Sequence, residues 1–232
     1  MFASGRNRQV LEQLADEVGG VEPLVADLCD PAQVAALVFG RRIDVLVANA
    51  ALPASGRLDS FTEEEIDRAL DVNLRAPMHL ARVLTPHMTE RGFGHLVFIS
   101  SLSGKMASAG ASVYNATKFG LRGFSFALNE ELRGTGVGAT TVFPGFIRDA
   151  GMFADSGVKL PRGVGTRTPD DVGKAVISGI EKNRPEIDVA PLSLSSGARM
   201  FGMAPRLVAG INRRLGSDPL ADAIAEGQRD KR

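Results

Sequence analysis

Short apolar runs alternate with longer amphipathic stretches along this chain of 232 residues. The apolar runs are bounded by glycine, proline or polar residues, which predicts strands at residues 1–6 (the tail of a strand), 21–26, 43–48, 95–100, 138–143 and 186–190. Apolar positions recur at helical spacing between them, which predicts helices at residues 7–18, 31–39, 62–91, 112–133 and 169–182. Alternating strands and helices indicate a parallel sheet covered on both faces, the doubly wound α/β class.

Polar or glycine-bearing turns follow three of the predicted strands. Asn49 follows the strand at 43–48, Ser101 follows the strand at 95–100, and Pro144-Gly145 follows the strand at 138–143. Ligands of doubly wound sheets bind beyond the carboxyl ends of the strands. We therefore expect these three turns to converge on one binding site.

Tyr114 and Lys118 bring proton chemistry to this edge of the sheet. Their four-residue spacing places both side chains on one face of the predicted helix at 112–133. A free phenol has a pKa of roughly 10, and a nearby ammonium is expected to lower it. A phenol so tuned can give a proton to a carbonyl oxygen or take one from an alcohol. The hydroxyl of Ser101 could hold the substrate oxygen against it.

Together these residues resemble the catalytic set of the short-chain dehydrogenase/reductase family, and the resemblance covers residues 1–190. By this resemblance Tyr114 would be the general acid/base, and Lys118 would lower its pKa and hold the nicotinamide ribose. Ser101 would polarise the substrate carbonyl, and Asn73 would anchor a water that relays protons to Lys118. The resemblance implies a Rossmann-like fold and hydride transfer between a nicotinamide cofactor and a ketone or secondary alcohol.

The resemblance also implies a cofactor-binding set. The segment Asn49-Ala50-Ala51 is similar to the Asn-Asn-Ala-Gly motif of the family, with Ala48 and Ala51 as departures. Where the NAD-dependent members carry an acid, this chain has Gly5 and then Arg6, and an arginine can pair with a 2′-phosphate. NADP is therefore the favoured cofactor, with NAD possible. The implied set is Arg6, Asp27, Leu28, Asn49, Ala50, Tyr114, Lys118, Pro144, Gly145 and Ile147.

The chain departs from the family at its start. The family begins with a strand and a Thr-Gly-x-x-x-Gly-x-Gly turn that holds the pyrophosphate at a helix N-terminus, and nothing here matches it. We expect the sheet to be incomplete at the N-terminus, with a central strand missing and open backbone edges, as in an N-terminal truncation. A second departure is Asp149, near the position of a family threonine. A homologue or fragment that only binds a partner, and another reaction on the same Tyr/Lys pair, are the alternatives.

Composition narrows the kinds of partner and the cellular location expected for this chain. Net charge is zero, so no bulk charge favours nucleic acid or an anionic membrane as partner. The single cysteine excludes an intrachain disulfide and fits a cytoplasmic location. No apolar run is long enough to span a bilayer, and no histidine spacing suggests a metal site. The resemblance implies a homodimer or homotetramer built through the helices after residues 62 and 112.

The segment after residue 190 lies outside the predicted sheet. Residues 192–215 carry a series of large apolar side chains, including Met200, Met203, Leu207 and Ile211. We expect residues 191–232 to form a helical tail that packs on the 1–190 domain or on a partner subunit. A wall for a lipid-like substrate and contact with a membrane surface are the alternatives. The polar residues from Ser217 onward are expected to fray.

Overall fold

A computed structural model describes residues 1–161, 164–214 and 217–231. The strands are β1 (Phe2–Gly5), β2 (Glu22–Val25), β3 (Val45–Ala48), β4 (Gly94–Ile99), β5 (Val137–Pro144) and β6 (Glu186–Val189). The helices are α1 (Arg8–Val18), α2 (Pro31–Ala36), α3 (Glu63–Leu70), α4 (Ala76–Arg91), α5 (Ser112–Glu131), α6 (Met152–Asp155), α7 (Pro169–Lys182), α8 (Leu192–Met203), α9 (Pro205–Arg214) and α10 (Ser217–Gly227). Within these ranges no helix is both long and apolar enough to cross a bilayer.

All strand pairs are parallel, which confirms the predicted α/β class. The strands form two sheets, one of order β1-β2 and one of order β3-β4-β5-β6. Between the described strands, β1 pairs with β2 alone and β3 with β4 alone, so each presents an open backbone edge. Apolar side chains on both edge strands, such as Phe2 and Val47, are exposed. The predicted gap in the sheet is therefore present between β1 and β3.

Strand β4 is the most buried element, and both of its faces are covered by helices. On one face Leu96 and Phe98 pack with apolar residues of α4 and α5, including Leu84 and Leu121. On the other face Val97 and Ile99 pack with β5, β6 and α7. Ser101 is the second residue after β4, so the most buried strand of the sheet positions it.

The predicted single helix at 62–91 is divided by a wider turn. Thr62 caps α3 through a reciprocal capping box with Glu65. Residues Asp71–Arg75 then form one π-helical turn before α4 begins. Such bulges are frequent at functional sites, and this one carries Asn73. Helix α2 is also shorter than the predicted 31–39, because turns follow Ala36.

The C-terminal helices lie over the loop after β4 and over α6. Ala198 of α8 packs with Leu102 and Phe143. The side chain of Gln228 donates to the carbonyl of Met152 at 3.0 Å, and Lys231 pairs with Asp155 at 2.7 Å. These two long-range contacts hold Gln228 and Lys231, and fraying of the residues from Ser217 onward stays a prediction. Residues 215 and 216 lie outside the described ranges.

Candidate active site

Ser101 lies at the carboxyl end of β4 and faces Tyr114. Its Oγ caps the short 3-10 turn Leu102–Gly104 by accepting from the N–H of Ser103 at 3.1 Å. It also donates to the carbonyl of Pro144 at 3.5 Å, which links the ends of β4 and β5. The phenol of Tyr114 lies beside this hydroxyl, close enough for the two groups to interact. The two hydroxyls thus meet where a substrate oxygen could accept from both.

Gly104 allows the loop after β4 to lie directly against α5. A Cβ at this position would be 2.6 Å from Ser100 Oγ and 2.7 Å from the carbonyl oxygen of Lys118. Ser100 Oγ also donates to that same carbonyl at 3.1 Å. This close approach fixes the distance between Ser101 on the loop and the helix face that carries Tyr114 and Lys118.

Lys118 is the most buried charged side chain near the site, with 2% of its surface exposed. Its Nζ donates to the carbonyl of Ile99 at 3.0 Å and lies 5.6 Å from the centroid of the Tyr114 ring. Burial lowers the pKa of Lys118 to about 8, because the charged form loses its water. An ammonium has three donors, and the Ile99 carbonyl uses one of them.

The pKa of Tyr114 is shifted opposite to the expectation from sequence. Burial raises it to about 12, and the neighbouring Ser101 hydroxyl opposes this only in part. The sequence predicted a lower pKa for Tyr114 from its pairing with Lys118. It did not show the desolvation that the fold imposes on both groups, which raises the pKa of the phenol. A phenol is protonated near neutral pH at either value, and that is the form that donates a proton to a carbonyl.

The pKa of Lys118 predicts a stability change at alkaline pH. The folded pKa is about 8 and the ordinary value is 10.5, so the unfolded chain binds more protons between them and stability rises with pH in that window. From about pH 7 to about pH 9.5 this group should add about 2 kcal/mol to the free energy of unfolding. Urea denaturation of the wild type and Lys118→Met at both pH values measures it. An equal pH dependence in the two proteins would contradict the assignment.

Asn73 is fully buried in the π turn, and its amide is engaged by the backbone after β3. Its Oδ1 accepts from the N–H of Leu52 at 2.7 Å, and its Nδ2 donates to the Leu52 carbonyl at 2.9 Å. The second Nδ2 hydrogen points to Thr117 Oγ1 at 3.5 Å. Both amide donors are thus in use. The side chain ties the β3 turn to α5, and the oxygens of Asn73 keep acceptor capacity for a water, so the water-anchoring role that the resemblance implies stays a prediction.

Pro144, Gly145 and Ile147 lie at and after the carboxyl end of β5, where the Pro144 carbonyl contacts Ser101. Gly145 donates to the carbonyl of Val189 at 3.0 Å, and a Cβ on it would be 3.0 Å from the Cβ of Ala190. Ile147 forms an isolated parallel bridge with Arg167. Asp149 has a left-handed backbone, with φ of 74°, and pairs with Arg148 at 3.4 Å. Its carboxylate is thus partly neutralised.

The remaining predicted cofactor residues lie at other strand ends. Asn49 and Ala50 are exposed just after β3. Arg6 is exposed after β1, and Asp27 and Leu28 are partly buried after β2. These last three follow the strands of the two-stranded sheet, and Leu28 packs against the core beside β4. The structure therefore brings Ser101, Tyr114, Lys118 and Pro144 together through direct contacts, and it places Arg6, Asp27 and Leu28 at the end of the other sheet.

Sequence reasoning missed a buried ion cluster that holds the loop after Ser101. Lys105 is 6% exposed, and its Nζ contacts Asp188 at 2.7 Å and Glu186 at 2.8 Å. Arg122 of α5 pairs with Glu186 at 2.6 Å. The sequence signal was the alternation of acidic and apolar residues in β6, which places two carboxylates on one face of a strand. Within the described ranges, no group of three or more His, Cys, Asp or Glu side chains is arranged to bind a metal ion.

Comparison with known proteins places the chain in a family. Residues 1–159 match the family model described as short chain dehydrogenase. The ketoacyl reductase HetN of Nostoc sp. (strain PCC 7120 / SAG 25.82 / UTEX 2576) is 39% identical over 168 residues, which are 70% of this chain and 58% of the relative. The chain thus spans less than two thirds of that relative's length.

Two solved structures share the fold. One is a short-chain dehydrogenase from Sphingobium yanoikuyae in complex with NADPH, with a TM-score of 0.74 and 30% identity, covering 94% of this chain and 85% of that one. The other is the closed form of serine dehydrogenase complexed with NADP+, with a TM-score of 0.73 and 28% identity, covering 83% of this chain and 85% of that one.

Proposed function

Because this chain belongs to the short-chain dehydrogenase/reductase family, we propose that it transfers a hydride between NADP(H) and a ketone or secondary alcohol, with Tyr114 as the general acid/base. The observation that carries the proposal is the placement of the Tyr114 phenol beside the Ser101 hydroxyl, with Lys118 Nζ 5.6 Å from the tyrosine ring. The NADP of the serine dehydrogenase and the NADPH of the Sphingobium enzyme support the choice of cofactor.

The proton chemistry follows from the positions of the hydroxyls. In the reductive direction Ser101 and Tyr114 donate hydrogen bonds to the carbonyl oxygen, and Tyr114 transfers its proton as that oxygen becomes an alkoxide. Lys118, held by Ile99, stabilises the phenolate that remains. In the oxidative direction the phenolate takes the alcohol proton. Bound NADP(H) supplies or accepts the hydride.

The residues present fit part of such a cofactor. Lys118 and Tyr114 offer donors for ribose hydroxyls, and Asn49 lies exposed at the neighbouring strand end. The close packing of Gly145 against Ala190 leaves a flat turn at the end of β5 that could contact the nicotinamide ring. Exposed Arg6 could pair with a 2′-phosphate. The glycine-rich pyrophosphate turn of the family is not found among the 232 residues.

The experiment is a titration of NADPH and NADH with the purified chain, followed by an assay with small ketones and a β-ketoacyl thioester. The thioester is included because the Nostoc relative is named a ketoacyl reductase. Quenching and a blue shift of nicotinamide fluorescence, then substrate-dependent loss of NADPH, are expected. Binding of neither nucleotide would contradict the proposal.

A variant of Arg6 tests the cofactor choice within the same experiment. Arg6→Asp should weaken NADPH binding by roughly tenfold or more and leave NADH binding less affected, because a charge-assisted hydrogen bond is lost and a like charge introduced. Arg8→Asp, two residues away and also exposed, is the matched control. If both variants weakened NADPH binding equally, the loss would reflect the overall change in charge and not a contact of Arg6 with the 2′-phosphate.

A second candidate is a catalytically impaired homologue that acts as a binding or oligomerising protein. The open edges of β1 and β3, which can pair with another chain, favour it. Exposed apolar side chains on the outer faces of α4 and α5, such as Met78, Phe119 and Phe126, suit contact with a second copy. NADPH titration separates the two candidates, since an enzyme must bind the nucleotide. A homodimer or homotetramer through α4 and α5 is compatible with both.

We also propose the division of the chain into a 1–190 domain and a 191–232 tail that packs on it. The contacts of Ala198 with Leu102 and Phe143, and of Gln228 with Met152, support it. Limited proteolysis that releases the tail first would agree with this arrangement.

A further inference from the structure

Helices α8 and α9 form the part of the chain with the most uniform charge. Between Asp188 and Asp218 the sequence contains no acidic residue and no lysine, but it contains four arginines, at positions 199, 206, 213 and 214. The whole chain, in contrast, has equal numbers of acidic and basic residues. A positive segment within a neutral protein indicates a partner of negative charge for that segment.

Large apolar side chains on these helices point to solvent between the arginines. Leu192 and Met203 of α8 are 84% and 87% exposed, and Leu207 and Ile211 of α9 are 59% and 43% exposed. Residues 192, 199 and 203 share one face of α8 by helical spacing. On α9 Arg206, Leu207, Gly210, Ile211 and Arg214 line one shallow groove. Val208, in contrast, is buried beneath α9. The outer surface therefore combines apolar and cationic groups, and we call it the α8–α9 face.

A second copy of the chain is a poor partner for this face. A symmetric dimer contact places the same patch on both subunits, so Arg206 and Arg214 would meet their own copies with no acidic residue of α8 or α9 to pair them. Arg199 is not counted here, because it pairs with Asp188 at 3.2 Å. The exposed apolar residues of α4 and α5 differ, because acidic and basic side chains alternate around them, as Arg82, Glu90, Arg122 and Glu130 do. Contact between copies therefore suits α4 and α5 better than the α8–α9 face.

We propose that the α8–α9 face docks on an anionic lipid surface. Helices that lie in a membrane interface insert an apolar stripe to the acyl boundary and place arginines at the lipid phosphates. Leu192, Met203, Leu207 and Ile211 supply the apolar stripe, and Arg206 and Arg214 flank it. The attachment is peripheral and reversible. It does not depend on the proposed oxidoreductase activity, since none of these residues belongs to the catalytic set.

The test is co-sedimentation of the full chain with vesicles of phosphatidylcholine that contain phosphatidylglycerol, compared with vesicles of phosphatidylcholine alone. Binding to the anionic vesicles, weakened by added salt, is expected. Arg206→Gln with Arg214→Gln should weaken it by roughly tenfold or more. Leu207→Ser with Ile211→Ser should have a similar effect, because the inserted apolar surface is lost.

Matched controls distinguish the face from general charge and hydrophobicity. Phe39→Ser removes an apolar side chain that is 84% exposed elsewhere, and Arg8→Gln removes an exposed arginine of α1. Both should bind vesicles as the wild type does, and circular dichroism should show native helix content in every variant. Absence of wild-type binding, or equal losses in the control variants, would overturn the proposal. A different result would also overturn it: light scattering shows that Leu207→Ser with Ile211→Ser converts an oligomer to a monomer, and neither this variant nor the wild type binds vesicles.

Discussion

Replacement of Tyr114 by phenylalanine is expected to lower turnover by about 10²–10⁴-fold, the usual contribution of a positioned general acid. The ring fills the same space, so the loss is confined to the hydroxyl and its interaction with Ser101. Removing that interaction should change the free energy of unfolding by only about 1 kcal/mol. The measurement is single-turnover oxidation of NADPH with the best substrate of the carbonyl panel, alongside NADPH titration, which should remain near the wild-type value.

A matched control and an optical readout sharpen this experiment. Phe126→Leu alters an exposed aromatic residue of the same helix and should retain turnover. Tyr114 is the only tyrosine and the chain has no tryptophan, so the ultraviolet change of phenol ionisation reports this residue alone. It should titrate well above its ordinary value of 10.0 in the folded protein, toward about 12, and near its ordinary value in denaturant. Turnover that survives in Tyr114→Phe would reject the proton-transfer role.

Replacement of Lys105 by methionine is expected to destabilise the fold by about 3 kcal/mol, because the buried carboxylate of Asp188 and the partly buried carboxylate of Glu186 lose their shared cation. The cost lies at the low end of the range for such sites, since Arg122 still contacts Glu186 and Arg199 still contacts Asp188 at 3.2 Å. Loss of the cation over the Phe143 ring, 3.9 Å away, adds to it. Urea denaturation at neutral pH measures the effect.

The ion cluster has its own controls. Lys182→Met removes an exposed lysine at the end of α7 and should change stability by less than about 0.5 kcal/mol. Adding Asp188→Asn and Glu186→Gln to Lys105→Met should recover part of the loss, because the unpaired charges disappear with their partner. If Lys105→Met were as stable as Lys182→Met, the cluster would contribute no net stability. Because Lys105 holds the loop that begins at Ser101, its loss should also lower turnover, and Lys105→Arg should restore most of it.

Much of the fold and the centre of the site could be predicted from local sequence patterns. The strand and helix pattern depends on periodicity within single elements, and the Tyr114–Lys118 spacing needs only one helix. Ser101 was found because a polar residue follows a fully apolar strand. Each of these signals lies within about twenty residues, so the sequence displays them directly.

Features that depend on distant contacts were not visible in the sequence. The π turn at Asp71–Arg75 accompanies a pairing of Asn73 with Leu52, 21 residues earlier. Lys105 donates to Asp188, 83 residues later in the chain, and Gln228 donates to Met152, 76 residues earlier. The direction of the Tyr114 pKa shift depends on desolvation, which is a property of the packed fold and has no counterpart in residue spacing.

The contact at Gly104 sets a practical boundary for redesign of substrate preference. Residues 102–111 are the natural segment to randomise, since they run from the serine to the helix that carries the tyrosine. Any side chain at position 104 would meet Ser100 and the backbone of Lys118 and push the loop away from the helix. A mutant library should therefore keep this glycine fixed and diversify the outward positions Ala107, Ser108 and Ala109, where new side chains can change selectivity while the reacting groups keep their spacing.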